Sequence, residues 1–270
     1  MNHSPISIRA AAAGLLIVTA AFIPTRAEAL DDYTSPRDAT VDARGARSVT
    51  IEAAAGILRV EGRQGISEVR VRGTARASSR SRLGDIKLIA ERRGDAVYIK
   101  ADIPENHGGF WENDHYMGLD LVIEVPMTLR LDVSDGSGEA QFTNTGAIDL
   151  EDGSGTIDIR GAHGSVKIRD GSGNITIDGV EGSVVVSDGS GEIRASNVTG
   201  DFRVEEDGSG SIDVSGVGGT MRVESDGSGN IDVDRVAGDF VVDNDGSGSI
   251  RYATVKGSVR IPERRRRSSY

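Results

Sequence analysis

Seven copies of Asp-Gly-Ser-Gly begin at Asp135, Asp152, Asp170, Asp188, Asp207, Asp226 and Asp245, at steps of 17, 18, 18, 19, 19 and 19 residues. A period near twenty that holds two short β runs and one glycine turn is the signature of a solenoid. A single unit cannot bury its own apolar face and has to stack on its neighbours. In the unit from Thr156 to Arg169, Ile157 and Ile159 alternate with Asp158 and Arg160. Gly161 to Gly164 then turn the chain, and Val166 and Ile168 alternate with Lys167 and Arg169. Period two on both sides of a turn predicts two half-buried strands.

The same inward positions recur as Ile175/Ile177 with Val184/Val186, Ile193/Ala195 with Phe202/Val204, and Ile212/Val214 with Met221/Val223. Ile231/Val233 with Phe240/Val242 and Ile250/Tyr252 with Val259/Ile261 complete the set. A corner column of Ala162, Val180, Val198, Val217, Val236 and Val255 is expected to point inward as well. About five apolar side chains do not offset the entropy of ordering some 18 residues, so coils must pair as parallel strands about 4.8 Å apart. The expected fold is all-β: a right-handed parallel β-solenoid of about six coils, right-handed because parallel crossovers are. Hairpins through the glycine turns are the competing topology. They place no demand that every second turn be the same tetrad, whereas stacked coils set identical turns above one another.

The two glycines of each tetrad permit positive φ at a sharp corner, and the Asp is suited to accept backbone N–H groups one or two residues on. The alternative is a calcium ladder, because stacked carboxylates 4.8 Å apart repel by about 0.9 kcal/mol in water and about 3.5 kcal/mol at an effective dielectric of 20. Hydrogen bonds to a charged acceptor return about 1.5–3 kcal/mol each, enough to hold a solvent-exposed Asp column without metal. The calcium-binding nonapeptide pattern is not matched, since Asp158, Asp213 and Asp232 fall one place too late. The tetrads are therefore read as caps, with calcium the lesser alternative and no other cofactor implied.

Outside the tetrads, Lys167, Val185, Arg203, Arg222, Val241 and Arg260 form a broken outward basic stripe beside Glu205, Glu224 and Asp243. A charge ladder facing water is the expectation, and a grip on an anionic glycan the alternative. The segment from His107 to Tyr116 breaks every pattern and holds the only Trp. Phe110, Trp111, His115 and Tyr116 are the candidate ligand contacts, since aromatics on an irregular connection suit sugar stacking. The plainer reading tucks Phe110 and Trp111 under the first coil. No catalytic set is expected: His163 is the one histidine in the repeats and leaves the tetrad serines without a base. Arg264 to Arg267 follow Pro262 and are read as guarding the open last strand, or as attaching to anionic lipid.

Residues 1–29 read as a cleaved export signal, with Arg9, an apolar run from Ala10 to Ile23, and Ala27-Glu28-Ala29. That leaves residues 30–134 as a β-rich N-terminal part, 135–261 as the repeat solenoid and 262–270 as a basic tail. No later stretch spans a bilayer, and no cysteine is present for a disulfide or a lipid. Residues 30–134 hold 15 basic and 17 acidic side chains; residues 135–261 hold 10 and 23, a net charge of −13. So acidic a body argues against nucleic acid. The N-terminal strands can form irregular early coils or a small β-sandwich cap; an irregular β cap continuous with the solenoid is the expectation, its arginines helping it pack on acidic coils.

The run from Gly118 to Gly138, GLDLVIEVPMTLRLDVSDGSG, followed by G-x-I-x-V and G-x-V-x-V coils, resembles the bacterial envelope family labelled "putative adhesin". The turn at Val125-Pro126 is its most specific part. The resemblance covers most of residues 48–261 and implies a parallel β-helix with an N-terminal β portion, in exported or envelope proteins, with no catalytic residues. The expected function is a non-enzymatic adhesion or envelope-interaction module, monomeric, in the periplasm or at the cell surface, whose partner is an envelope or extracellular glycan or protein. A carbohydrate-active β-helix enzyme and a periplasmic stress or regulatory protein are the alternatives.

Overall fold

The computed structural model describes residues 33–104 and 116–262. The N-terminal part holds β1 (Tyr33–Asp42), β2 (Ser48–Glu52), β3 (Ala55–Arg63), β4 (Glu68–Ala77), the single turn α1 (Arg80–Leu83), β5 (Lys87–Arg93), β6 (Ala96–Asp102) and β7 (Met117–Pro126). Seven strand pairs follow, each joined at a tetrad. They are β8 (Arg130–Asp135) with β9 (Ser137–Thr143), β10 (Ile148–Asp152) with β11 (Gly155–Ala162), β12 (Val166–Asp170) with β13 (Gly173–Val180), and β14 (Val184–Asp188) with β15 (Ile193–Val198). The last three are β16 (Phe202–Asp207) with β17 (Ile212–Val217), β18 (Met221–Asp226) with β19 (Gly229–Val236), and β20 (Phe240–Asp245) with β21 (Gly248–Val255), before a terminal β22 (Val259–Arg260).

From β8 onward the even strands stack in one sheet and the odd strands in the other, every pair parallel and in repeat register. The fold is a β-solenoid, with seven tetrad coils where about six were expected. Its core is the predicted one. Ile157, Ile159, Val166, Ile168, Phe202, Val204, Met221 and Phe240 are sealed from solvent, and the corner column from Ala162 to Val236 is buried. The last coil departs from the pattern: Ile250, Val255 and Val259 are only partly covered and Tyr252 and Ile261 are 48% and 39% exposed, because among the described residues no further coil lies over them.

Changes in step length have local causes. The lengthening to 19 residues arises at a bulge where Ser187 pairs with Glu206 rather than Glu205, so one extra residue is absorbed without turning Asp207 outward. The second corner of each coil is turned by a residue at positive φ: Asn144, Gly161, Gly179, Asn197, Gly216, Arg235 and Thr254. Glycine and asparagine accept that conformation readily. Arginine and β-branched threonine do not.

The N-terminal part contains two further coils that lack tetrads. In the first, β2 pairs parallel with β8 and β3 with β9, and Gly56 stands opposite Gly138 with φ of 143°. Ala53 to Gly56 thus occupy the tetrad place, with only the last glycine retained. The second, β6 with β7, stacks on the far side of the first, so the chain returns across it to begin β8. Antiparallel β1 and β4 extend one sheet beyond β7, and antiparallel β5 extends the other beyond β6. This is the expected cap, continuous with the solenoid. Its arginines, however, pair mainly with its own acids: Arg63, Arg70 and Arg72 surround Glu124, and Arg76 meets Asp120 at 2.7 Å. Arg59 reaches the first tetrad coil, 3.6 Å from Glu139.

Two stability predictions follow from the corners. A Cβ on Gly191 would lie 1.5 Å from the Gly173 carbonyl oxygen, at φ of 143°. Gly191→Ala should therefore lose more than about 4 kcal/mol in a urea melt, or fail to fold. Thr254→Asn relieves an unfavourable backbone and should gain about 1 kcal/mol. At the C-terminal end, among the described residues, β21 has no strand on its outer edge and β22 pairs through two residues. Truncation after Ile261 should keep the fold but promote end-to-end association, more so at high salt where charge is screened. Light scattering across salt tests this, and equal, monomeric behaviour of the truncated and full-length proteins would refute an edge-guarding tail.

Candidate functional site

The most unusual chemistry lies at the tetrads. Asp135, Asp152, Asp170, Asp188, Asp207 and Asp226 are between 1% and 7% exposed, so the column is interior and the expected solvent-exposed ladder is corrected. The cause is strand parity: in β12, Val166, Ile168 and Asp170 share the inward face while Lys167 and Arg169 face out. Parallel pairing sets Asp135, Asp152, Asp170 and Asp188 directly in line, and Asp207, Asp226 and Asp245 continue the file. The expected turn cap is present at Asp170 and Asp188, which accept from the Ser172 and Ser190 amides at 3.1 Å. At Asp135, Asp152, Asp207 and Asp226 no donor of the surrounding protein meets either carboxyl oxygen in full hydrogen-bond geometry, although tetrad amides lie near enough to offset part of the effect of burial.

Burial without a counter-charge raises these groups. Desolvation, then the neighbouring carboxylates, pushes Asp207 up to about 7 and Asp135, Asp170 and Asp226 up to about 6. Asp152 and Asp188 are raised by desolvation, against the pull of their tetrad amides. Raised carboxyls in a cleft would suggest acid–base catalysis. Here they lie beneath the sheets, out of reach of a substrate. Among the described residues no three acidic or histidine side chains converge as a set able to hold a metal ion.

On the outer face the basic stripe is aligned by register, and its arginines are held by the adjacent acids. Arg203 pairs with Glu224, and Arg222 with Asp243 at 2.6 Å and with Glu224 at 3.6 Å. Val241 lies in the stripe but is covered by its neighbours. The ladder continues toward the cap through Arg169 with Glu151 at 3.1 Å and Arg130 with Asp149 at 2.9 Å. His163 meets Glu181 at 3.1 Å on the second corner of its coil, nine residues from the tetrad serine on either side.

Of the aromatic candidates, Phe110, Trp111 and His115 lie outside the described residues, as do the arginines from 264 to 267 and the segment 1–29. Tyr116 is described. It is 46% exposed and borders an open groove of about 470 Å³ with Gly56, Arg76, Asp120 and Ser137. Gly118 leaves room for the ring, since a Cβ there would lie 2.4 Å from the Tyr116 hydroxyl and displace it. Asp120 fixes the groove wall, accepting from the Ile57 amide at 3.0 Å and from Arg76 at 2.7 Å.

No protein-family model and no curated protein sequence matches the chain. Solved bacterial structures resemble it weakly. They include a putative cell adhesion protein from Clostridium sporogenes (12% identity, TM-score 0.33, covering 84% of this chain and 98% of that one). A putative adhesin from Bacteroides fragilis has 14% identity and a TM-score of 0.42, covering 84% and 96%. A putative lipid-binding protein from Parabacteroides distasonis has 15% identity and a TM-score of 0.46, with the same coverage of 84% and 96%. Among the described residues no helix is long and apolar enough to cross a membrane.

Exposed ion pairs contribute little to stability. Arg222→Ala should accordingly shift the unfolding free energy by no more than about 0.5 kcal/mol in a denaturant melt. A larger loss would show that the outer ladder holds the coils together.

Proposed function

We propose that the chain is an exported, non-enzymatic envelope module that binds a glycan or protein partner through the outer faces of its solenoid. The observation that carries the reading is the aligned outer ladder. Register sets Lys167, Val185, Arg203 and Arg222 in one column on rigid, fully paired strands, one residue per coil at about 4.8 Å. A fixed display of that kind suits recognition of an extended partner, because little side-chain and no backbone order is gained on binding. The sealing of the raised carboxyls beneath the sheets supports a binding role over a catalytic one. The sequence resemblance to the adhesin-labelled envelope family points the same way.

The test is capture by immobilised cell-wall glycan, lipopolysaccharide and extracellular matrix protein, using the full chain. Saturable binding to one of these, weakened by Lys167→Glu with Arg203→Glu, is the expected result. No binding to any of them would contradict the proposal. So would release of new reducing ends or unsaturated products from a polysaccharide panel, if one point change abolished that activity.

A further inference from the structure

The buried carboxyl file is a cluster of seven identical acids whose only charged neighbours are one another. On its own strands the residues preceding the acids (Ser134, Glu151, Arg169, Ser187, Glu206, Ser225 and Asn244) do not share the inward face. The facing strands β9, β11, β13, β15, β17 and β19 send in only apolar side chains: Ala140 and Phe142, Ile157 and Ile159, and their equivalents to Ile231 and Val233. The tetrad amides are the polar groups nearest the file. They reach Asp170 and Asp188 in hydrogen-bond geometry, whereas at Asp135, Asp152, Asp207 and Asp226 neither oxygen is met by a donor in that geometry. At one end the file stops against the first cap coil, where β2 places Ala53 in the tetrad position. At the other end, Asp245 is only half-buried.

An ionised file so placed would carry six buried like charges with no cation among them, which neither burial nor spacing tolerates. The neutral alternative satisfies the same atoms: a protonated carboxyl donates one O–H and still accepts, so alternate acids can bond along the rod. At the C-terminal end Asp207, Asp226 and Asp245 follow one another in register on β16, β18 and β20, one coil apart, so that each carboxyl has another as its neighbour along the rod. We infer that the tetrad aspartates form a proton-binding column, in which carboxyls of successive coils share protons and lock the coils together, making the solenoid firmest in acid and looser in alkali. The inference does not depend on what the outer faces bind.

The sign follows from the direction of the shifts. Carboxyls held above their ordinary range bind protons more tightly in the folded chain than in the unfolded one. Their stabilisation is complete below the ordinary carboxylate range and is lost as pH rises through about 6 to about 7. Several outer acids are shifted the opposite way, Asp42 down to about 2 by Arg44 and Asp232 downward by Arg251; they lose stabilisation only as pH falls below the ordinary range.

The experiment compares the full chain with a triple variant, Asp188→Asn, Asp207→Asn and Asp226→Asn. Asparagine keeps the shape and the ability to donate along the file but does not titrate. The wild-type melting temperature is expected to fall by several degrees from about pH 5 to about pH 8, and most of that fall should vanish in the triple variant. Infrared spectroscopy of the native wild type should show protonated-carboxyl absorption near pH 6, which keeps the test open should the variant not fold. A wild-type melting temperature that is flat or rising over this range would overturn the proposal. So would absence of the protonated band, or an unchanged pH slope in the variant. Calcium at millimolar concentration is the remaining arm. A rise of several degrees near pH 8 in the wild type, absent from the variant, would assign the column to a metal rather than to protons, whereas no calcium effect supports the shared-proton column.

Discussion

Backbone contact between stacked glycines is the constraint on which the solenoid rests. At the last position of successive tetrads φ lies between 130° and 153°, and a Cβ there would fall 1.4–1.9 Å from the carbonyl oxygen of the glycine one coil back. Only glycine fits that approach. The contact permits hydrogen bonds in both directions through the corner: Gly189 donates to the Asp170 carbonyl of the preceding coil at 3.0 Å, and Gly191 to the Ser209 carbonyl of the following one at 2.9 Å. The ladder therefore runs unbroken around a corner that would otherwise be a loop, and the sheets on either side are kept in register. The same close stacking holds the aspartates in file and shuts them off from water.

Once the corners are fixed, the two surfaces of each coil divide the chemistry. Inward positions are apolar except for Thr145 and the aspartates, which burial raises above the ordinary carboxylate range. Outward positions carry the remaining acids, which hold the arginines in exposed pairs such as Arg222 with Asp243 and Arg251 with Asp232. The net charge of −13 counted over residues 135–261 is thus not all displayed on the outer surface, because six of those acids are buried. A binding partner would meet a milder, mixed surface with local basic positions rather than a uniformly acidic rod.

Much of the fold was legible because spacing and parity are direct consequences of strand geometry. The tetrad interval gave parallel stacking, and alternation in Ile157/Ile159 and Val166/Ile168 gave the core. The same parity puts Asp170 on the inward face with Ile168, a consequence missed in sequence because glycine tetrads read as exposed turns that begin after the strand has ended. The coil from Ser48 to Arg63 was hidden for a different reason. Its corner, Ala53 to Gly56, keeps one tetrad residue of four, and the β4 to β7 excursion separates it from its partner by chain while β2–β8 pairing joins them in space. The bulge at Glu205 and Glu206 was visible only as a change of step. Of the candidate ligand contacts, Tyr116 alone could be placed, and it borders a groove whose other walls, Arg76 and Asp120, belong to strands that no local motif connects.

The central claim is that the tetrads are structural rungs rather than surface turns, and amide hydrogen exchange at Gly171, Gly189, Gly208 and Gly227 tests it most directly. These amides donate to the aspartate carbonyls of the preceding coil at 2.8–3.0 Å. The account predicts protection comparable to that of the core strand amides of Val184 and Val204, lost only with global unfolding. Exchange at the rate of an open, solvated turn, with the strands still protected, would contradict it.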